Sequence, residues 1–187
     1  DPRIAAAAAF ESRARAMAAG LSDEDLVGQA LIIGVEGVNR LSNGSRSVVQ
    51  AVRPGAVILF GFNVSEDPRS VAALSADLRS ALLPGRMAND AGSASLDPFV
   101  AIDHEGGSVY RFKGGLTRLP SARILGKAGT AAAKAAGVAA GSELRALGVT
   151  MNAAPVVEAL TEGNRAFLVD RRWSDDPARA GALGSAF

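Results

Sequence analysis

PFVAIDHEGGSVYRF, residues 98 to 112, splits into two halves of opposite character. Pro98 to Ile102 is a short apolar run with β-branched residues, of the length and kind expected of a buried strand. It stops at a charged segment, Asp103-His104-Glu105-Gly106-Gly107. In parallel α/β folds ligands gather at the carboxyl ends of strands, because the loops there are free of packing duty. Asp103 is therefore the first candidate for touching a substrate. The competing reading is a solvated turn around the Gly pair.

The flanking sequence alternates strands with helices. Residues 2 to 19 are rich in Ala with interspersed Arg and Glu, which favours a helix with little large apolar surface to bury. Gly20 closes it, and Ser22-Asp23-Glu24-Asp25 opens a second helix with a Ser cap and an acidic first turn. Leu31 to Val35 reads as a first buried strand, residues 46 to 52 as a short helix, and Ala56 to Phe60 as a second strand. Asp67-Pro68 starts a helix whose buried face is Val71, Leu74, Leu78 and Leu82, and Pro84-Gly85 ends it. Arg86 to Asp97 reads as a flexible loop, and Phe112 to Lys127 as irregular structure crossing the mouth of the fold. Residues 130 to 147 return to helix, with Gly137, Ala140, Leu144 and Leu147 on a stripe suited to close packing on a sheet. Gly148 is the expected stop, Val149 to Ala153 a fourth strand, and Asp176-Pro177 the start of a last helix.

Alternation of this kind, with no hairpin signal between strands, implies an α/β fold with a parallel sheet. A closed (β/α)8 TIM-type barrel needs roughly 250 residues. A chain of 187 residues with four visible strands is expected to supply about the first four βα units. The organisation expected is a covering helix over residues 1–20, then the first half of a barrel over 21–187, incomplete at its C-terminal end. A half barrel leaves two unpaired strand edges, which a second piece would cover.

Composition narrows the chemistry. Hydrophobic residues make up 48% and charged ones 21%, enough for one sizeable core. A net charge of +1 gives no long-range attraction for nucleic acid or anionic lipid, so a neutral ligand suits the chain better than a polyanion. No run is long and apolar enough to span a membrane. With no cysteine and a single histidine, neither a thiolate site nor a protein-only zinc site is expected. Nothing in the totals fixes a compartment, so cytoplasm, periplasm and secretion all stay open.

Five segments carry a resemblance: LSDEDLVGQALIIGVEG (21 to 37), PGAVILFGFNV (54 to 64), FVAIDHEGGSVYRF with LTRLPSA (99 to 122), GSELRALGVTMNAAPVVE (141 to 158) and NRAFLVDRRWSDDP (164 to 177). In this order and spacing they resemble the N-terminal (β/α)-barrel domain of glycoside hydrolase family 3, found in bacterial β-N-acetylhexosaminidases and β-glucosidases. The resemblance implies cleavage of terminal β-linked N-acetylhexosamine, or glucose-type, residues by a retaining mechanism without metal or organic cofactor. It implies that Asp103, in the Asp-x-Glu-Gly-Gly element, accepts hydrogen bonds from sugar hydroxyls, and that Arg111 and Arg171 line the sugar pocket. His104 and Glu105 would support that pocket from behind. Glu105 is expected to accept backbone N–H groups of a tight turn, or to pair with an arginine of the rim.

The family's aspartate nucleophile and its Lys-His-Phe-Pro-Gly-His type acid/base loop have no counterpart in this sequence, so no catalytic residue is assigned. His104 stands where many members carry Gln and is not carried over as the acid/base. Glu158 stands where the family has Asp after Ala-Pro-Val. The implied partners are a carbohydrate substrate and the C-terminal half of the barrel. Two other readings stay open: a non-catalytic carbohydrate-binding protein on a degenerate or half barrel, and a half barrel that pairs with itself.

Overall fold

The computed structural model describes residues 2–86 and 97–187. Its elements run α1 (Pro2–Ala19), α2 (Asp23–Gln29), β1 (Ile32–Gly34), α3 (Asn43–Val52), β2 (Ala56–Leu59), α4 (Arg69–Arg86), β3 (Phe99–Ile102), α5 (Ala122–Ala128), α6 (Thr130–Ala146), β4 (Met151–Asn152), α7 (Arg165–Leu168) and α8 (Pro177–Ala186). The four strands form one sheet in chain order, and every pairing is parallel. In-order parallel strands with helices between them are the opening units of a (β/α)8 barrel.

Strand register separates two faces. Ile33, Val57 and Val100 lie side by side, as do Leu59 and Ile102. These residues belong to a core shared with Val49 of α3, Val71, Leu74, Leu78 and Leu82 of α4, and Phe112. Fully burying one such aliphatic side chain contributes about 2 kcal/mol. The opposite face carries Ile32, Ala56 and Phe99 in one row and Gly34, Ile58, Ala101 and Met151 in the next. Here Ile32 and Phe99 remain 57% and 56% exposed. A second core, Leu119, Leu125, Ala133, Ala140, Trp173 and Leu183, joins α5, α6 and α8.

The helix ends follow the caps in the sequence. Ser22 and Ser42 Oγ accept the N–H groups of Asp25 and Ser45, each at 3.1 Å. Asp176 Oδ1 accepts from Ala178 at 2.8 Å, with Pro177 in the first turn of α8. After α6 the Gly148 N–H donates to Arg145 O and the Val149 N–H to Leu144 O, both at 3.0 Å, the crossed pair of bonds that ends a helix on a glycine.

Several expectations need correction. The first strand is three residues long, and all but Ile33 of it is exposed, because β1 is paired only with β2 among the described residues. The stretch expected to be irregular contains α5, whose Ala122 and Leu125 are drawn into the second core. The fourth strand shrinks to two residues, and α4 runs through Pro84 to Arg86. The small-residue stripe of α6 is divided: Leu144 and Leu147 pack on the sheet core as expected, whereas Ala140 joins the second core and a Cβ on Gly137 would lie 2.0 Å from the carbonyl oxygen of Phe187 at the end of α8. The N-terminal helix forms, with its residues from Ala6 to Ala16 exposed and Met17 and Ala18 half-buried. The loop expected from Arg86 to Asp97 lies almost wholly outside the described residues.

Candidate functional site

Beyond Ile102 the chain leaves the sheet and makes a tight excursion that returns along Val109 to Phe112. Val109 O accepts from the N–H groups of Glu105 and Gly106, at 3.0 and 3.1 Å. The Gly107 N–H donates to Leu119 O at 3.1 Å. At Gly107, φ is +57°, and a Cβ there would lie 2.6 Å from Ser121 Cβ and 2.9 Å from Asp170 Oδ2. Only glycine satisfies both the backbone angle and the space.

This geometry returns Arg111 to Asp103. Arg111 Nε donates to Asp103 Oδ1 at 2.7 Å, and its Nη2 donates to Oδ2. The guanidinium fork thus occupies one lone pair on each carboxylate oxygen and leaves about two acceptor positions unused. The Asp103 side chain stays 26% exposed, so those positions are open to a ligand. The pairing raises the Arg111 pKa above its ordinary value, chiefly through the hydrogen bond to Asp103.

A second fork lies beside the first. Arg171 donates from Nε and Nη2 to the two oxygens of Glu105, at 3.0 and 2.7 Å. The Glu105 side chain is only 6% exposed, against 22% for Arg171. Glu105 is therefore the buried counter-charge of Arg171, and its carboxylate does not serve the backbone of the turn, whose N–H groups go to carbonyls. Arg171 also lies over the Phe167 ring, 4.6 Å from its centre. Ser108 Oγ donates to Asp170 Oδ1 at 2.8 Å, tying the segment that carries Arg171 to the Gly-Gly turn, and the Arg123 N–H donates to Asp170 O at 3.1 Å, tying it to the start of α5.

His104 points away from both forks and is buried. Its ring sits between Tyr110, 4.6 Å away, and Phe112, 5.3 Å away and edge-on. Its backbone N–H donates to Asn152 Oδ1 at 2.9 Å, and Asn152 Nδ2 donates back to His104 O at 3.0 Å. One amide thereby locks the ends of β3 and β4 together. Burial, reinforced by the charges of Arg111 and Arg118 and opposed by Glu143 and Asp103, pushes the His104 pKa down to about 4. The ring is neutral at physiological pH.

Of the residues expected at a site, Asp103 and Arg111 are brought together, and Glu105 and Arg171 form the adjoining pair. Trp173 is packed in the second core, edge-on to Phe187 at 5.3 Å. Asn164 donates to Glu158 Oε1 at 2.7 Å and to Ala159 O at 2.9 Å, holding its own loop. Tyr110 and Ser108 escaped the sequence reading. The alternation Tyr110-Arg111-Phe112 held a signal for the first, since it sends the two rings to the side opposite the guanidinium.

Comparison with known proteins identifies the family and the fold. The family described as "Glycosyl hydrolase family 3 N terminal domain" matches residues 23–187. A beta-hexosaminidase from Methylococcus capsulatus is 37% identical over 152 residues, covering 79% of this chain and 41% of that protein. One from Tolumonas auensis is 34% identical over 160 residues, covering 84% of this chain and 43% of that protein. The chain thus spans about two fifths of the length of these curated relatives. Among solved structures, a glycoside hydrolase family 3 beta-N-acetylglucosaminidase from Paenibacillus sp. superposes with a TM-score of 0.77 at 30% identity, over 89% of this chain and 30% of that one. NagZ from Neisseria gonorrhoeae, solved in complex with N-trifluoroacetyl-D-glucosamine, gives 0.68 at 27% identity, over 83% of this chain and 45% of that one.

Proposed function

The chain belongs to glycoside hydrolase family 3, and on that premise we propose that it forms the sugar-holding wall of a β-N-acetylhexosaminidase acting on terminal β-linked N-acetylglucosamine. Residues 21–187 then supply the first half of the barrel, preceded by the N-terminal helix. The nucleophile and the acid/base come from the remainder of the barrel, in the same polypeptide or a second one, and the reaction is a retaining double displacement. Asp103 accepts from neighbouring sugar hydroxyls, Arg111 fixes the rotamer of Asp103, and Arg171, braced by Glu105, donates to the sugar.

The observation that carries the reading is the half-open Asp103 carboxylate at the end of β3, gripped by Arg111 through both oxygens yet able to accept twice more. A charge-assisted bond of this kind is about twice as strong as a neutral one. The test is hydrolysis of a chromogenic N-acetyl-β-glucosaminide by the complete protein and by its Asp103→Ala variant. The variant is expected to lose roughly 100-fold or more in kcat/KM. An unchanged kcat/KM removes Asp103 from the site, and an inactive complete protein that still binds the sugar replaces the hydrolase with a binding protein.

A further inference from the structure

Away from the two forks, a cleft of about 450 Å³ opens between α5 and the start of α8. Arg123, Lys127, Arg172 and Arg179 line it, against two carboxylates, Asp175 and Asp176. Both carboxylates are already engaged. Asp175 Oδ1 accepts from Arg172 Nε at 2.6 Å, and Asp176 Oδ1 caps α8 by accepting from the Ala178 and Arg179 N–H groups at 2.8 and 3.4 Å. Arg179 spends Nη2 on Gly126 O at 3.1 Å. Arg123 and Lys127 stand one turn apart on the exposed side of α5, with Arg123 near enough to Asp175 for its charge to be felt there.

Four cations thus meet two committed anions, a local excess of +2 in a concave site. Arg172 is a fixed part of the wall rather than a waving surface chain. It is buried, its Nη1 donates to Val169 O, and its Nε is held by Asp175. The Asp175 carboxyl is held below its ordinary pKa first by the Arg172 hydrogen bond and then by the charges of Arg172, Arg123 and Arg165. A guanidinium fork with neighbouring ammonium and guanidinium groups matches a tetrahedral oxyanion better than a neutral sugar.

We propose that this cleft binds an oxyanion of the phosphate class, free or esterified to a sugar, at a place separate from the Asp103 fork. Its location gives the bound anion a structural consequence. Arg171 and Arg172 leave adjacent positions in different directions, one to Glu105 and the other to the cleft. An anion bridging α5 and Arg172 therefore steadies the segment that aims Arg171.

Trp173, the only tryptophan of the chain, belongs to the lining of the same cleft while its ring packs in the second core, so its emission is followed beside a direct heat readout. The experiment titrates this chain with inorganic phosphate at constant ionic strength, following Trp173 fluorescence and, in parallel, heat by isothermal titration calorimetry. Glucose 6-phosphate in a second arm separates the free anion from a sugar-borne one. Saturable binding of at least one of the two ligands is expected, weakened at least tenfold in an Arg123→Gln/Lys127→Gln variant. Both residues are exposed, so that variant keeps its fold, which circular dichroism checks. Titrations flat in both readouts for both ligands, or binding of equal affinity in wild type and variant, overturn the proposal. Sugar hydrolysis by the complete protein is untouched by that failure, so the two readings fall separately.

Discussion

At the scale of single residues, the two forks differ in what they cost to break. Glu105 is nearly enclosed, whereas Asp103 keeps a quarter of its surface in water. Removing one member of a buried pair leaves an uncompensated charge, a loss of about 3 kcal/mol. Glu105→Ala is therefore expected to lower the urea midpoint of the chain clearly more than Asp103→Ala, whose orphaned Arg111 is better hydrated. Equal losses would show that Glu105 is not the buried anchor. His104 gives a pH signature. Its pKa is about 4 in the fold against 6.5 for an ordinary histidine, so between those values the unfolded chain binds more protons. Its contribution to stability is fully present above pH 6.5 and is lost as the pH falls toward 4, about 3 kcal/mol across the window. His104→Gln is expected to flatten that part of the stability profile measured by urea titration. An unchanged slope would assign it to other groups. Asp103 and Arg111 were legible because a strand end and a short return bring them together within eight residues. The pairing of Glu105 was foreseen only as one of two alternatives and without a choice of arginine, since Arg171 lies 66 residues away and local sequence carries no record of that meeting.

At the scale of elements, the strand ends are held by two amides, Asn63 and Asn152. Asn63 is fully buried, with Oδ1 accepting from the Phe60 N–H at 2.9 Å and Nδ2 donating to Val35 O at 3.0 Å and Gly37 O at 2.8 Å. It does for β1 and β2 what Asn152 does for β3 and β4. Asn63→Ala strands three backbone groups and is expected to cost about 3 kcal/mol in a urea melt. Asn63→Asp keeps the acceptor but sets a carboxylate against two carbonyls. It should be at least as damaging at neutral pH and recover as acid protonates it. A wild-type midpoint for either variant would refute the role. The helices were legible where caps and apolar spacing agree, as in Ser22, Asp176 and the Val71-Leu74-Leu78 face. Misreadings fell where burial is set by distant chain. The Gly- and Pro-rich flanks masked α5, which Trp173 and α6 stabilise from afar. Asn63 sat in an Asn-Val-Ser triplet that looks like any surface turn.

At the scale of the whole molecule, the sheet is well covered on one face and open on the other. Val57, Leu59, Val100 and Ile102 are buried, while Ile32 and Phe99 are more than half exposed and Met151 is 39% exposed. Those three belong to the face that a closed barrel turns inward. Among the described residues, β1 and β4 each pair on one side only, so both edges offer free backbone donors and acceptors. Apolar surface and open edges on one sheet are a template for association, whichever chain supplies the partner. Sedimentation velocity of this chain alone is expected to show reversible, concentration-dependent association. Ile32→Lys, which puts a charge on the open face at the β1 edge, should reduce it. Joining the chain to the remainder of the barrel should abolish the association along with binding of an apolar dye. Strict monomers at high concentration would mean that some other part of the chain shields the face. The same experiment bears on function, because the open face of the sheet leads at its carboxyl end to Asp103. On the proposed reading, a barrel closed over that face would complete the floor beneath the sugar, whereas a pair of identical halves would only double the Asp103 fork.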